Sequence, residues 1–404
     1  MKTVAIIGGG AAGLMAAYAA SRSGEDRVIL YERQARVGRK LLATGNGRCN
    51  LTNLNANVSN YHGQNPNFVI PALTKLTVAD TLELFHGLGL LTAEGEGGRM
   101  YPLSDSANSV LDVLRFAIET GGVELKAGAP VTAVKRSGKG FVVETEAERD
   151  YADKVIVACG GCAGSKLGGV NDGYTILQSL GHSRTNLYPA LTQITSDSPY
   201  PRSLKGVRAQ AAIRLVRKGK TVAENRGEVQ FVEKGISGIA VFELSREVST
   251  GGACDVVMDF LPDLSVGEVC GLLRGRMYAA PMLSTEDLFT GMLHNKLGRT
   301  ICRAAGVSAE HICDLTEKEL HKCAAMSKSF TIRAIGTGGF DSAQVTVGGV
   351  KTSEFDPNTM ESRIVPNLYA CGEVLDIDGD CGGYNLQWAW ASGRLAGLHA
   401  GGKL

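Results

Sequence analysis

An apolar strand, Val4 to Ile7, runs into Gly8-Gly9-Gly10-Ala11-Ala12-Gly13 and an alanine-rich helix, and a second apolar strand, Val28 to Tyr31, closes on Glu32. A dinucleotide-binding βαβ unit requires this order. Gly8 permits the tight turn, Gly10 admits a pyrophosphate to the backbone, and Gly13 lets helix and strand pack closely. The start of the helix offers free N–H groups and the positive end of its dipole to phosphates. Glu32, about twenty residues past the glycines, is placed to accept hydrogen bonds from ribose hydroxyls. Ala12 and Arg33 flank these positions and join them as cofactor-binding candidates.

At 404 residues the chain has room for two or three domains and a large core. Its 42 Lys and Arg nearly balance 41 Asp and Glu, so no bulk field favours nucleic acid or an acidic membrane, and neither is expected as a partner. The 52 glycines are nearly twice the usual share of about 7%, which suits a backbone turning tightly around a cofactor. Four glycines break the apolar run from Val4 to Ala20, and no small-residue cleavage site follows. Elsewhere no stretch reaches the roughly eighteen apolar residues of a membrane span, so a cytoplasmic protein is expected. Ten scattered cysteines form no disulfide framework. Cys159-Gly160-Gly161-Cys162 reads as packed, reduced thiols, a redox pair remaining the alternative, and without further ligand pairs no metal site is expected.

Gly38 to Asn53, which contains Arg39, Lys40, Asn46, Gly47, Arg48, Cys49 and Asn50, is basic, broken by glycine and dense in donors, as a segment wrapping an anionic ligand would be. Ser104 to Thr120 reads as an amphipathic helix capped by Ser104 or Asp105 and ended by Gly121-Gly122. Val131 to Lys135 and Phe141 to Thr145 form a hairpin, and Lys154 to Gly161 a buried parallel strand closing on two glycines. Asn171-Asp172-Gly173 caps a helix that stops at Gly181, where His182 reads as a C-terminal cap partner. From about Tyr188 to Phe260 short strands take over: Ala211 to Val216, Thr221 to Ala223, Val229 to Phe231 and Asp255 to Asp259. Gly235-Ile236-Ser237-Gly238 caps a short helix through Ser245. Ser265 to about Lys328 is helical in pattern, and past Ala343 the first domain resumes. The expected architecture is α/β: a Rossmann-like domain from residues 1–187 and 341–404, an inserted β-rich domain from 188–262 and 328–340, and a nested helical domain, 263–327.

The closing block holds the second chemical signal. Asn367 to Glu373 is a strand ending in Gly372-Glu373, and Gly382-Gly383-Tyr384-Asn385-Leu386-Gln387 opens an alanine-rich helix. An acid able to bind a ribityl hydroxyl, followed by a helix aimed at the electron-rich edge of a flavin, would stabilise the reduced ring as an anion.

With the Gly98 to Pro102, Val347 to Val350 and Thr359 to Ser362 segments, these motifs resemble the BaiN-like flavoproteins, a family that includes aminoacetone oxidases and bile-acid enone reductases. The resemblance spans nearly the whole chain in order. It implies non-covalent FAD, the three-part architecture, and a substrate cleft between the FAD domain and the insertions. By similarity Gly8, Gly10, Gly13, Glu32, Lys40, Arg48, Cys49, Asn50, Val131, Gly160, Gly372, Glu373, Asn385 and Leu386 line the cofactor, with Gly47, Gly349 and Gly383 beside them. The chain departs from the family at Ala158-Cys159-Gly160-Gly161, at Cys381, and at Gln230-Phe231-Val232-Glu233, where a histidine is absent from the inserted domain.

No second G-x-G-x-x-G follows a strand, so a separate nicotinamide domain is not expected, and Cys49 stands alone where dithiol reductases carry a pair. The favoured expectation is an FAD-dependent oxidoreductase that takes hydride from transiently bound NADH or NADPH and reduces a small unsaturated acceptor through flavin N5. An amine-type oxidase using dioxygen and a non-catalytic flavin-binding module remain open. Tyr384, His62 and Arg99 are the candidate proton donors.

Overall fold

The computed structural model describes residues 1–22 and 24–402. Contacts divide the chain into two compact units, one built by residues 1–188 with 344–404 and the other by 189–343.

The first unit is organised by a five-stranded parallel sheet in the order Leu368–Ala370, Lys154–Val157, Thr3–Ile7, Arg27–Glu32, Glu124–Ala127. Val4 to Ile7, Val155 to Val157 and Leu368 to Ala370 are all buried, as expected of parallel strands covered on both faces. Thr3–Ile7 sends its chain one way, through the helix Ala11–Ser21 to Arg27–Glu32, while Lys154–Val157 lies on its other side. The strand order therefore reverses between these two, which makes their carboxyl ends the switch point where open α/β sheets take their ligands. A three-stranded antiparallel meander, Val131–Ser137, Gly140–Thr145 and Arg149–Ala152, leads back into the sheet at Lys154.

The two ends of the chain meet through small side chains. The helix Tyr384–Ala400 lies against Ala11–Ser21 so closely that a Cβ on Gly393 would stand 2.4 Å from the Ala12 carbonyl oxygen, and one on Gly397 2.4 Å from that of Ala16. The alanine-rich texture of both segments is thus a packing requirement. Trp388 and Trp390 fill the remaining space from the same helix, their indole N–H groups donating to the carbonyls of Gly372 at 3.2 Å and Leu51 at 2.9 Å.

In the second unit six antiparallel strands close a barrel in the order Ile194–Ser196, Gly235–Ser237, Lys220–Val232, Arg208–Arg217, Cys254–Asp259, Phe330–Thr337. The helices Val266–Ala279, Asn295–Ala304 and Glu317–Lys328 share one apolar core with it, Leu273, Leu297, Ile301 and Leu320 joining Leu215, Phe231, Val256 and Ile332. Ser265 with Glu268 and Thr316 with Glu319 form capping boxes that start two of these helices.

Several local expectations need correction. Thr221 to Ala223 and Val229 to Phe231 belong to one strand, Lys220–Val232; its polar middle is largely exposed while its backbone pairs along the length of Arg208–Arg217, with a register shift at Leu215/Val216. Gly235–Ser237 is itself a barrel strand, and the helix after it, Ile239–Gly251, runs past Ser245. The helix expected from Ser104 begins at Ala107, because Asp105 takes a left-handed φ of 54° that no helix can continue. Asn171 does precede the helix Asp172–Ser179, but its side chain accepts from the Cys162 thiol at 2.9 Å instead of capping.

His182 is more than a cap partner. It is 4% exposed and stacked on Phe355, with Nδ1 2.8 Å from Glu354 Oε2 and Nε2 3.0 Å from Ser362 Oγ. Burial pushes its imidazole below the ordinary value against the upward pull of Glu354. Burial in turn raises the Glu354 carboxyl, but hydrogen bonds from Ser183 and His182 outweigh this and hold it below the usual range.

Candidate functional site

The turn at the strand ends is shaped by what its glycines exclude. A Cβ on Gly8 would stand 2.5 Å from the Ala158 carbonyl oxygen, and one on Gly13 1.8 Å from that of Gly8, so the turn, the helix and the neighbouring strand close on each other. Gly10 is the opposite case: beyond its own residue and its two chain neighbours, no described atom lies within 4 Å of where its Cβ would be. Gly10 is also the N-cap of Ala11–Ser21, and among the described residues no side chain caps that helix, so its positive dipole end begins beside this open position. Ala12 borders the same space, and a Cβ on Gly372 would meet its methyl at 2.8 Å.

Glu32, 9% exposed, holds the far side of the turn. Its Oε2 accepts from Gly9 N at 2.8 Å and its Oε1 from Gln34 N at 2.7 Å, which fixes the carboxylate and leaves a second lone pair on each oxygen. Arg33 turns instead to Asp172, 3.5 Å away.

A second focus gathers at the start of Tyr384–Ala400. Gly383 is its N-cap at φ 103°, again without a side-chain cap. A Cβ there would approach Thr52 O at 2.5 Å and Asn50 Oδ1 at 2.9 Å. Asn50 is 9% exposed and, among the described residues, its buried Oδ1 has no hydrogen-bond partner. An uncapped helix start beside an unsatisfied amide oxygen is the complement of a ring edge carrying both acceptors and an N–H. Leu386 is half-buried in the first turn. The Asn385 side chain is committed to backbone, accepting from Gly379 N at 2.8 Å and donating to Gly379 O at 2.7 Å and Asp380 O at 3.2 Å.

Between these foci, Lys40 Nζ donates to Glu373 Oε2 at 2.7 Å while Glu373 Oε1 accepts from Thr346 N at 2.7 Å. Gly160, at φ 71°, faces Glu373. Gly349 packs on the Leu375 backbone and Val131 is buried at the start of its strand. Gly47 lies at φ 87° with open space around it, whereas Arg48 is drawn away onto Asp105 and over the Tyr101 ring, 4.2 Å from its centroid. Cys49 is fully buried and burial pushes its thiol up to about 12, as expected of a packed thiol. Cys159 and Cys162 are free thiols directed apart, toward Ile7 O and Asn171 Oδ1; burial pushes Cys159 up to about 12.

Of the three candidate proton donors, Tyr384 is 9% exposed and Arg99 donates to Glu96 O at 3.2 Å. His62 pairs with Asp380, which the motifs had not singled out. Gln387, read from the sequence only as part of the motif that opens the helix, is fully buried and binds Thr52 Oγ1, Leu76 O and Thr81 Oγ1, and so ties the helix start to two N-terminal segments. The only sequence signal for Asp380 is the alternation Asp376, Asp378, Asp380 just before the paired glycines.

The family described as HI0933-like protein Rossmann domain matches residues 2–399. The chain belongs to the HI0933-like family. It is 40% identical over 407 residues, 99% of each chain, to the 3-dehydro-bile acid delta(4,6)-reductase of Clostridium scindens, so the resemblance to BaiN-like flavoprotein oxidoreductases holds from end to end. It is also 31% identical over 387 residues, 96% of this chain and 95% of the other, to the ribosomal RNA dihydrouridine synthase of Escherichia coli. Among solved structures, 3-ketosteroid delta1-dehydrogenase from Sterolibacterium denitrificans in complex with 1,4-androstadiene-3,17-dione covers all of both chains with a TM-score of 0.53 at 12% identity, a likeness of fold. Among the described residues no helix is long and apolar enough to cross a membrane.

Proposed function

We propose that this HI0933-like chain binds FAD non-covalently and reduces a carbon–carbon double bond conjugated to a carbonyl, with NADH or NADPH as the transient electron donor. The observation that carries the reading is the pair of uncapped helix starts, at Gly10 and Gly383, with the unsatisfied Asn50 Oδ1 beside the second. A dinucleotide carries anionic phosphates for the first and a ring with an electron-rich edge and an imide N–H for the second. In this reading Gly8, Gly10, Ala12 and Gly13 border the pyrophosphate, Glu32 takes the ribose hydroxyls, Lys40, Gly160 and Glu373 border the linking chain, and Asn50, Gly383 and Leu386 hold the ring.

The acceptor class is supported by the chemistry in the relatives' names. A 3-oxo bile acid with 4,6 double bonds is a conjugated dienone, and dihydrouridine is uridine reduced across the C5=C6 bond conjugated to its C4 carbonyl. Both are hydride acceptors of one kind. Bound flavin supplies the two-electron transfer. The protein orients the ring through the N–H groups at Gly383, stabilises negative charge there, and delivers a proton to the acceptor.

The test is an anaerobic titration of the yellow protein with NADH and then NADPH, followed by a 3-oxo-4,6-diene steroid. Bleaching of the flavin and its return on adding steroid are expected. No bleaching with either nucleotide, together with bleaching by an amine and oxygen uptake, would replace the reductase by an oxidase. A protein that stays colourless and takes up no FAD would overturn the reading altogether. Return of colour with an rRNA fragment but not with steroid would move the acceptor from a small molecule to a nucleic acid base, against the expectation drawn from the balanced charge.

A further inference from the structure

We propose that His62 is the proton donor of this reaction and that Asp380 is its positioning residue; the assignment rests on the conjugate-reduction reading above. Tyr61–His62 pairs antiparallel with Asp378–Gly379, His62 opposite Asp378, and Asp380 N donates to Asn60 O at 3.0 Å. Asp380 then grips the opposing segment with both oxygens: Oδ1 lies 2.7 Å from His62 Nε2, and Oδ2 accepts from Asn60 Nδ2 at 3.1 Å. The Asn385 amide clamps Gly379 and Asp380 to the first turn of Tyr384–Ala400. His62 is therefore held, through two short links, to the helix start where Gly383 and Asn50 await the ring.

A carboxylate can only accept, so Nε2 carries the hydrogen in this pair and Nδ1 is the nitrogen left to exchange a proton. The same logic lets a carboxylate set the tautomer of a catalytic imidazole elsewhere. The His62 and Asp380 side chains are 35% and 31% exposed, so the imidazole is reachable as well as fixed. Its rivals lack one of these properties, beginning with Tyr384, which is buried. His182 is buried with both ring nitrogens engaged, Tyr61 is buried and its hydroxyl is pushed above the ordinary phenol value, and an arginine such as Arg99 does not give up its proton.

The step balances as follows. Bound flavin would supply the hydride to the far carbon of the conjugated double bond; as the π electron pair moves toward the carbonyl, the imidazolium of His62, with its Nε2–H on Asp380, breaks its Nδ1–H bond and gives that proton to the near carbon, leaving a neutral ring protonated on Nε2. The imidazole then regains its proton from water. The acceptor gains two hydrogens, one as hydride and one as the proton from His62, and bound flavin would be left oxidised.

The test uses the holoenzyme reduced with dithionite, which removes any dependence on the nicotinamide donor, mixed with a 3-oxo-4,6-diene steroid while the flavin absorbance is followed. His62→Gln is expected to slow reoxidation about 10²- to 10⁴-fold with an unchanged flavin spectrum. Asp380→Asn is expected to lower kcat about tenfold at constant KM, and Asp380→Glu to restore part of it. Added imidazole should speed His62→Ala, a rescue that a purely structural histidine would not show. Wild-type rates in a yellow His62→Gln protein, or a His62→Ala protein that imidazole leaves slow, would overturn the assignment. Failure of the reduced wild type to react with the steroid would overturn the conjugate-reduction reading, and this assignment with it.

Discussion

The glycines of the nucleotide turn do two different jobs, and single substitutions separate them. Gly13 stands where a Cβ would lie 1.8 Å from a backbone oxygen, so Gly13→Ala must push helix and turn apart and is expected to destabilise the protein by about 3 kcal/mol. Gly10 faces open space, so Gly10→Ala is expected to change stability by less than about 1 kcal/mol. It should weaken FAD retention by about tenfold or more, because the new methyl occupies the approach to the helix start. Urea unfolding and flavin fluorescence measured on both variants check the pair. His182 and Glu354 set a pH dependence of a definite sign. Both are held below their unfolded values, so the folded state binds fewer protons than the unfolded state and stability rises with pH. This stability is present above about pH 6.5 and is lost as pH falls through the two folded values. Thermal unfolding from pH 7.5 to 4 should show Tm falling on acidification, and less steeply between pH 6.5 and 5 in His182→Gln.

At the scale of elements, the helix Tyr384–Ala400 is the part on which most of the site depends. Its Gly393 and Gly397 admit the Ala11–Ser21 backbone, Trp388 holds Gly372, and Gln387 reaches Thr52, Leu76 and Thr81. Gln387→Leu keeps the volume but leaves two hydroxyls and a carbonyl short of a buried partner, an expected loss of about 3 kcal/mol in urea unfolding. Because Thr52 is two residues from Asn50, the same variant should release FAD more readily than wild type in equilibrium dialysis. The segment Asp378 to Asp380 is the second such element, since it connects the acid after one strand to the N-cap of this helix.

For the whole molecule, the separate cores of the two units carry a prediction. Every candidate cofactor residue belongs to the unit of residues 1–188 and 344–404. Calorimetry is expected to resolve two transitions, of which one moves with FAD. At a free FAD concentration a hundredfold above Kd the shift should correspond to about 2.7 kcal/mol. A single transition, or equal shifts of both, would contradict this.

The βαβ unit, its Gly8, Gly10, Gly13 and Glu32, the closing Gly372-Glu373 and Gly382-Gly383 motifs and the return of the chain to its first domain were legible in the sequence. Each is a local signal: the period of apolar residues, a glycine where a turn or close approach demands one, an acid at a strand end. The strand Lys220–Val232 was misread because its outward-facing residues are polar, although a partner strand satisfies its backbone. The burial of Cys49, the turning of Arg33 and Arg48 to Asp172 and Asp105, the commitment of Asn385 to Gly379, and the pairings of His62 with Asp380 and His182 with Glu354 were decided only in three dimensions. The reason is physical: a side chain's chemistry depends on the partners folding brings to it, and such a partner can lie 318 residues away, as for His62 and Asp380.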